Sequence, residues 1–366
     1  MKLKNIISVI VFAVYIFSFS SLCYLKTDAE HSESERRPLA TMPDISASTI
    51  ASGEFMGGFE EYTADQFPFR ESFRKIKAFF SRYALQRLEN NGLFVADGHI
   101  SKIDSEENEY MMDYSAERFK NIYNLYLKDK NTNIYLSIVP DKNYFLAKAN
   151  GYPSLDYDAF TQKMKSKLDF MQYIDIAPLL SLDDYYTTDS HWKQEAITDI
   201  AEKLALDMGT DAKSEYKVNT LDNVFYGVYY GQAALPFKAD TIKYLTNDTI
   251  DSCIVNYYDT GSAKKGDMYN MKKAYGKDPY EMFLSGSAPL VTIENPKALN
   301  SKELVIFRDS FGSSLAPLLA EGYKKITLVD IRYIQSSFVG NFVDFENKDV
   351  LFIYSTELLN NSLAMK

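Results

Sequence analysis

The sequence predicts an α/β protein in which a parallel sheet is covered by helices on both faces. Short apolar runs alternate with amphipathic helical stretches through much of the 366-residue chain, a pattern typical of parallel strands joined by helices. A chain of this length can bury a sizeable core. The formal net charge is -10, and no long block of Lys and Arg is present, which argues against nucleic-acid binding.

The first predicted element is a membrane helix. Residues 5–25 form an uncharged, mostly apolar run with lysines on both sides, and this run is long enough to cross a bilayer. We predict that residues 1–30 are an uncleaved anchor and that the remaining chain lies outside the cytoplasm, at the cell membrane. Cleavage as a signal sequence, followed by secretion, is the alternative, although the small residues at 20–23 make a poor cleavage site.

A tether and the start of the folded domain follow the anchor. Residues 31–49 are polar, charged and contain two prolines, which predicts a segment with little capacity to bury surface. The domain is expected over 50–366. Apolar side chains at helical spacing predict an amphipathic helix over 69–84, and the Asp97-Gly98 pair predicts the turn of a hairpin.

The alternation of strands and helices occupies most of the remaining chain. Helices are predicted at 115–128, 156–170, 193–208 and 313–321, and strands at 133–140, 172–177, 304–307, 325–332 and 349–355. Between the two halves, residues 210–300 break this rhythm. We predict an insertion there that could build a substrate cleft.

A serine follows one of the predicted buried strands. The strand Leu304–Phe307 runs directly into Asp309-Ser310 and then into a helix, which places the Ser310 hydroxyl on a tight turn beside backbone N–H groups. Such groups can stabilise the negative charge that develops on a carbonyl oxygen during acyl transfer. The alternative is a simple helix N-cap, since Ser and Asp are preferred there.

A second polar pair lies at 189–191. A serine nucleophile needs a base, and an imidazole base needs a carboxylate that fixes its tautomer; His191 and Asp189 could supply both. The other two histidines lie in the tether and in the hairpin. Asp189 or Ser190 could instead cap the following helix. No second histidine or cysteine nearby completes a tetrahedral site, so we predict no metal.

The chain resembles the DHHW family, whose members resemble the SGNH-like alginate O-acetylation proteins of bacterial polysaccharide export. The resemblance runs from about Glu35 to near the C-terminus. It rests on several segments in a fixed order: "ERRPLATMPD", "GEFMGGFEEYTADQFPFR", "GLFVADGHISKID", "IVPDKN", "YYTTDSHW", "FRDSFGSSLAP" and "VDIRY".

The resemblance implies a flavodoxin-like SGNH-hydrolase fold with a catalytic triad. It assigns Ser310 as the nucleophile, His191 as the base and Asp189 as the orienting acid. It also implies O-acetyl chemistry on a cell-envelope polysaccharide, often beside a multispanning membrane acyltransferase that supplies acetyl groups. The chain departs from the family signature at Ser190, which stands where the first histidine of Asp-His-His-Trp is expected.

Further candidates surround this triad. Arg332 could bind a substrate carboxylate or hydroxyl, with a salt bridge to a neighbouring acid as the alternative. Gly227, Gly286 and Ser287 could supply oxyanion donors, because glycine allows the backbone to approach a ligand closely; simple turns are the alternative for each.

These observations predict O-acetyl transfer to, or removal from, an envelope or secreted polysaccharide through an acetylated Ser310. No metal or organic cofactor is predicted, and the acetyl donor is not identified by the sequence. The first alternative is a noncatalytic glycan-binding or scaffold subunit of a polysaccharide modification complex. The second is a hydrolase of lipid or peptide esters.

Overall fold

The computed structural model describes residues 2–259 and 261–366. The α-helices are α1 (Lys2–Leu25), α2 (Ala47–Ser52), α3 (Glu54–Asp65), α4 (Arg70–Phe79), α5 (Glu109–Ile122), α6 (Asn143–Leu146), α7 (Tyr157–Lys167), α8 (Thr198–Asp207), α9 (Val228–Ala233), α10 (Asp248–Ser252), α11 (Met271–Ala274), α12 (Phe311–Leu315) and α13 (Thr356–Leu359). The 3-10 turns are Lys148–Asn150, Ala177–Leu179, Leu182–Asp184, Gln194–Ala196, Pro279–Met282, Ala316–Gly322 and Ser336–Asn341, and the π-helical turns are Phe80–Ala84 and Tyr123–Leu127.

The strands belong to one large sheet and to smaller pairings. They are β1 (His31–Ser32), β2 (Arg37–Pro38), β3 (Glu89–Asn90), β4 (Leu93–Ala96), β5 (His99–Lys102), β6 (Asn133–Val139), β7 (Gln172–Tyr173), β8 (Lys217–Thr220), β9 (Lys243–Thr246), β10 (Ile254–Tyr257), β11 (Lys264–Gly266), β12 (Leu290–Glu294), β13 (Glu303–Arg308), β14 (Lys325–Val329) and β15 (Asp349–Ser355).

The chain divides into two compact units. Unit 1 comprises the chain up to Asn91 together with Val228–Phe237, and unit 2 comprises Gly92–Gly227 and Lys238–Lys366. In unit 1, α1 contains a candidate membrane span, Leu3–Leu25, with a mean hydropathy of 2.4. By length and composition this span can cross a bilayer.

Residues 31–49, which the sequence predicts as a tether, contain secondary structure in unit 1. Strands β1 and β2 form an antiparallel pair. Arg37 donates to both carboxylate oxygens of Asp65, at 2.7 and 2.6 Å, and Glu35 pairs with Arg70 at 2.6 Å. The hydrogen bond from Arg37 lowers the pKa of Asp65 to about 2. Glu35 and Arg37 of the predicted tether are therefore paired with charged residues of α4 and α3.

Unit 2 is built on an eight-stranded sheet in the order β11-β10-β12-β14-β13-β15-β6-β7. Neighbouring strands from β14 to β7 are parallel, whereas β12, β10 and β11 extend the sheet with antiparallel pairings. The stretch 210–300, predicted as one insertion, is thus divided: it supplies three edge strands of the main sheet, the separate pair β8–β9, and α9 of unit 1.

The sheet is covered on both faces. Along β13, Leu304 and Ile306 belong to a cluster with the buried side of α8, whereas Val305 and Phe307 belong to a second cluster with α5 and α7. Successive side chains of a strand point to opposite faces, so the two clusters lie on opposite sides of the sheet. The α/β prediction with helices on both faces is confirmed.

Several predicted helices are shorter or more irregular than expected. The helix predicted over 193–208 begins as a single 3-10 turn, and α8 starts only at Thr198. The helix predicted over 313–321 is split between α12 and the following 3-10 turn, which contains Pro317. Proline removes one backbone donor and disfavours α geometry in the residue before it.

Candidate active site

Asp189, His191 and Ser310 form a continuous row of hydrogen bonds in unit 2. His191 Nδ1 lies 2.5 Å from Asp189 Oδ1, and His191 Nε2 lies 2.7 Å from Ser310 Oγ. A carboxylate only accepts, so Nδ1 carries the proton and Nε2 is left to accept the Ser310 hydroxyl proton. The Asp189 side chain is fully buried, whereas 15% of the His191 side chain is exposed. The row therefore runs from a buried acid to a half-buried hydroxyl.

The end of β13 positions the serine. Ser310 precedes α12 but its side chain makes no capping hydrogen bond. The buried Asp309 fills that role instead: its Oδ1 accepts the Phe311 N–H at 3.0 Å and its Oδ2 accepts the Ser355 N–H, at the end of β15, at 2.8 Å. The Ser310 hydroxyl is thus available to His191, and Asp309 joins the ends of two parallel strands.

A tight reversal of the chain presents the histidine. Tyr185 forms a β-bridge with Trp192, and the Tyr186 N–H donates to the His191 carbonyl at 3.1 Å. Asp189 also accepts the His191 N–H at 3.1 Å. The 3-10 turn that follows begins at Gln194 without a side-chain cap, so the alternative in which Asp189 or its neighbour caps that helix does not describe the observed contacts.

A second carboxylate, Asp240, holds the segment before the triad acid. Its Oδ1 accepts the N–H and hydroxyl of Thr187, both at 2.9 Å, and its Oδ2 accepts those of Thr188, at 2.8 and 2.5 Å. The Thr188 hydroxyl oxygen also accepts the Gly227 N–H at 2.9 Å. The backbone leading into Asp189 is therefore fixed by four hydrogen bonds to one carboxylate.

Tyr280 covers one face of the His191 imidazole. Its ring stacks on His191 with centroids 3.9 Å apart and an interplanar angle of 16°, and its hydroxyl shares a 2.9 Å hydrogen bond with Ser314. Burial raises the pKa of Tyr280 above its ordinary range, so the phenol stays protonated. The Phe311 ring lies 5.1 Å from the imidazole, which leaves His191 held between aromatic side chains.

Lys142 is buried beneath the same loop. Its ammonium group donates to the carbonyls of Tyr186 at 2.9 Å and Thr187 at 3.2 Å. Burial lowers the pKa of Lys142 to about 7, while the charge of Asp189 opposes that shift. These backbone contacts give Lys142 a structural role beneath the loop.

The structure gives Arg332 an internal partner. Its Nε and Nη2 donate to the two carboxylate oxygens of Asp330 at 2.9 and 2.7 Å. The same carboxylate faces the buried Arg308 at 3.5 Å, and Arg308 also donates to the Gly286 carbonyl at 3.2 Å. The salt-bridge alternative for Arg332 therefore matches the geometry, with about a fifth of its side chain left exposed.

The glycines proposed as oxyanion donors already have acceptors. The Gly227 N–H donates to Thr188, and the Gly286 N–H donates to the Phe283 carbonyl at 3.1 Å. The Ser287 hydroxyl accepts a hydrogen bond from Tyr333 at 3.2 Å. These contacts correspond to the turn alternative.

One backbone donor remains at the serine itself. The Phe311 N–H is bonded to the side chain of Asp309 and the Gly312 N–H to its carbonyl, at 3.2 Å. The Ser310 N–H has no acceptor within residues 2–259 and 261–366. This N–H is therefore a backbone donor that is left available beside the Ser310 hydroxyl.

Sequence reasoning selected Asp189, His191 and Ser310, which the structure brings together, but missed Asp240 and Tyr280. Asp240 lies 52 residues from Thr188, and Tyr280 is one of 28 tyrosines. Neither position carries a spacing or a local motif that connects it with the Asp-x-His pair.

Comparisons with known proteins identify solved structures with a similar fold. No family model and no curated protein matches the sequence. A solved DHHW family protein from Eubacterium siraeum matches with a TM-score of 0.59 and 22% identity, over 75% of this chain and 94% of that one. PatB1 of Bacillus cereus, solved with a sulfonyl adduct, matches with a TM-score of 0.56 and 16% identity, over 73% of this chain and 97% of that one.

A third match, the O-acetyltransferase domain of Pseudomonas putida AlgJ, has a TM-score of 0.42 and 12% identity, over 74% of this chain and 92% of that one. A TM-score of 0.42 does not show that this chain shares the fold of that domain. The first two matches cover most of the length of both partners. The chain thus has the fold of a solved DHHW family protein, the family that its sequence motifs resemble.

Proposed function

We propose that this protein transfers O-acetyl groups to, or removes them from, a cell-envelope or secreted polysaccharide, with Ser310 as the nucleophile. The observation that carries the proposal is the hydrogen-bonded row from Asp189 through His191 to Ser310. Three residues with these roles at hydrogen-bonding distance are what serine acyl transfer requires.

The reaction follows from the positions of the protons. Ser310 Oγ bonds to the acetyl carbonyl carbon while its proton passes to His191 Nε2, and the carbonyl oxygen becomes an oxyanion facing the Ser310 N–H. The bond to the leaving oxygen then breaks as His191 returns that proton to it, leaving acetyl-Ser310. An incoming sugar hydroxyl or water gives its proton to His191 Nε2 while its oxygen bonds to the acetyl carbon. The bond from that carbon to Ser310 Oγ then breaks and His191 returns the proton to Oγ, which restores the serine.

Asp189 contributes by stabilising the imidazolium form. Its carboxylate accepts the Nδ1–H and holds one tautomer throughout the cycle. The acceptor decides between transferase and esterase chemistry, since a sugar hydroxyl must compete with water for acetyl-Ser310.

The cellular setting is part of the same proposal. Residues 1–30 serve as a membrane anchor and unit 2 acts outside the cytoplasm, beside a multispanning membrane acyltransferase that supplies acetyl groups. Support comes from the apolar span Leu3–Leu25 and from the family that the sequence motifs resemble.

The test is formation of an acetyl adduct. The purified full-length chain in detergent is incubated with a small acetyl ester, and peptide mass spectrometry locates the added acetyl group. We expect wild type to be acetylated at Ser310, and we expect Ser310→Ala and His191→Ala to abolish that adduct. Ser252→Ala and His31→Ala are matched controls, because Ser252 makes only a local contact in α10 and His31 lies in unit 1.

The outcomes separate the candidate functions. Loss of the adduct in both variants but in neither control supports the proposal. Absence of an adduct with several acetyl donors would contradict it and favour a noncatalytic glycan-binding or scaffold subunit. Faster acylation by long-chain esters than by acetyl esters would favour the hydrolase of lipid esters.

A further inference from the structure

The helix α4 and the π-helical turn after it have an unusual distribution of side chains. Their apolar residues point to solvent: the exposed fractions are 65% for Phe69, 40% for Phe73, 64% for Ile76, 57% for Phe79, 57% for Phe80 and 60% for Tyr83. Phe69 immediately precedes α4, with a φ of 59°. At 100° per residue, four of the other five side chains fall within one narrow stripe along the helix. We call this stripe the α4 apolar face.

The side of the same helix that faces the protein carries small side chains and an arginine rather than large apolar side chains. Ala78 is fully buried and Ser81 is nearly so. The guanidinium of Arg74 reaches inward to the carbonyls of Gly231 and Gln232, at 2.9 and 3.2 Å. A surface helix of a water-soluble protein normally buries its apolar stripe. Here that arrangement is inverted, which is the sign of an apolar environment outside the protein.

The charges around the α4 apolar face are mostly positive. Residues 69–88 contain six Lys and Arg and one acidic residue, in a chain whose net charge is -10. Lys75, Arg82 and Arg87 have no acidic partner in the part of the chain that the structure describes. Basic residues bordering an apolar stripe match the negatively charged headgroup region of a bilayer.

The α4 apolar face is also continuous with the candidate membrane span. The rings of Phe73 and Phe19, a residue of α1, lie 6.1 Å apart. Phe67 stacks on Phe19 at 5.5 Å and contacts Phe73 at 5.6 Å. Phe19 precedes the end of the span at Leu25 by six residues, or about 9 Å of helix, a depth typical of the boundary between headgroups and acyl chains.

An apolar groove opens beside the same face. It has a volume of about 550 Å³, and its lining includes Ile76, Phe79, Phe80, Leu235 and Pro236. All of these residues belong to unit 1. The groove adds apolar surface that an acyl chain can cover.

We propose that the helix α4 and the following π-helical turn lie in the plane of the membrane, with the α4 apolar face in the headgroup–acyl boundary of an anionic bilayer. The proposal rests on α1 acting as the membrane anchor. It assigns unit 1 a second, in-plane membrane contact that fixes its position against the lipid surface, independently of the chemistry at Ser310.

The experiment measures the depth of single fluorescent probes. The full-length chain, with Cys23→Ser and Cys253→Ser, carries one cysteine labelled with an environment-sensitive dye and is reconstituted in lipid nanodiscs that contain phosphatidylglycerol and a spin-labelled quencher lipid. Ile76→Cys reports the α4 apolar face. Ile10→Cys reports the anchor, and Leu299→Cys, whose side chain is fully exposed in unit 2, is the aqueous control.

We expect blue-shifted emission and strong quenching at positions 76 and 10, and neither at 299. Quenching at 10 with a solvent-exposed probe at 76 would overturn the proposal, retain the anchor, and leave the α4 apolar face to a protein partner. Solvent exposure of both probes would overturn the in-plane helix and the anchor together.

Charge reversal tests the electrostatic part. Lys75→Glu with Arg87→Glu should lower quenching at position 76 in anionic nanodiscs, since each cation near such a surface changes the docked-to-undocked ratio roughly fivefold. Lys264→Glu with Lys265→Glu, both exposed on β11, is the matched control and should change nothing. Equal quenching in both double variants, and in nanodiscs of phosphatidylcholine alone, would contradict the role of the basic residues.

Discussion

Replacing Gly227 by alanine should disable the proposed triad of Asp189, His191 and Ser310, although none of these three residues is itself replaced. An added Cβ would lie 2.3 Å from Asp189 Cβ, 2.5 Å from its Cα and 2.5 Å from its Oδ2. The φ angle of Gly227 lies outside the left-handed region, so alanine itself fits the backbone there. The three atoms nearest to the added Cβ all belong to Asp189, so the main steric conflict is with that residue.

The size of the effect follows from that contact. Carbon atoms pack at about 3.5–4.0 Å, so Asp189 must move by roughly 1 Å or more to admit the methyl group. The 2.5 Å hydrogen bond to His191 cannot absorb such a shift. Misplacing a catalytic group by about 1 Å costs on the order of 100-fold in rate, and overpacking destabilises by about 1–3 kcal/mol.

The assay is the rate of acetyl-Ser310 formation under single-turnover conditions. Gly57→Ala is the matched control, because no atom lies within 4 Å of its added Cβ; it should keep the wild-type rate. In an Asp189→Asn background, Gly227→Ala should cost little more, since the two changes damage the same contact. A wild-type rate for Gly227→Ala, or a full additional 100-fold loss in that background, would refute the reasoning.

The remaining predictions concern the surroundings of the triad. Tyr280→Leu removes the ring stacked on His191 and should slow acetylation by about 2- to 10-fold, as expected from 0.5–1.5 kcal/mol per aromatic pair, whereas Tyr280→Phe should stay near wild type. Asp240→Asn turns an amide NH2 group toward two donors; it should lower the unfolding free energy by about 2–3 kcal/mol, read by thermal melting, and slow acetylation. Burial lowers the pKa of Lys142 to about 7 in the folded chain, so between about pH 7 and 10 the unfolded chain binds more protons than the folded one. The free energy of unfolding should therefore rise with pH over this range, whereas below about pH 7 Lys142 should add no pH dependence. Lys142→Met should remove this pH dependence, which amounts to at most about 1.4 kcal/mol of unfolding free energy per pH unit and is followed as melting temperature against pH. An unchanged pH dependence in the variant would contradict the lowered pKa of Lys142.

Local patterns were sufficient to predict the parallel part of the sheet. The apolar runs that became β6, β13 and β15 are bounded by polar turns, and burial on both faces makes such runs nearly continuous. The strand preceding Ser310 is predicted at Leu304–Phe307, and the structure extends it by one residue at each end, to Glu303–Arg308. The antiparallel pairing of β10 to β12 with the main sheet was not predicted, because short strands such as 254–257 and 290–294 pair with partners that only the tertiary fold selects.

The periodicity of α4 also did not predict whether its apolar face is turned toward the protein or away from it. The spacing of Phe69, Phe73 and Ile76 predicts an amphipathic helix, and α4 is one. Periodicity defines a stripe but does not say whether protein or an external phase covers it. In α4 the inner side is occupied by Arg74 and by the fully buried Ala78, an arrangement that depends on carbonyls more than 150 residues away.

The distance in sequence between Asp189-x-His191 and Ser310 has a topological explanation. Five neighbouring strands of the sheet are parallel, so their carboxyl ends meet at one edge, where loops from distant segments converge. Asp309 connects the end of β13 to the end of β15, and Lys142, just after β6, holds the carbonyls that precede Asp189. Each triad residue is therefore positioned by a strand end or by a group anchored to one. Because these supports are separate, a single change such as Gly227→Ala displaces the acid while leaving the serine in place.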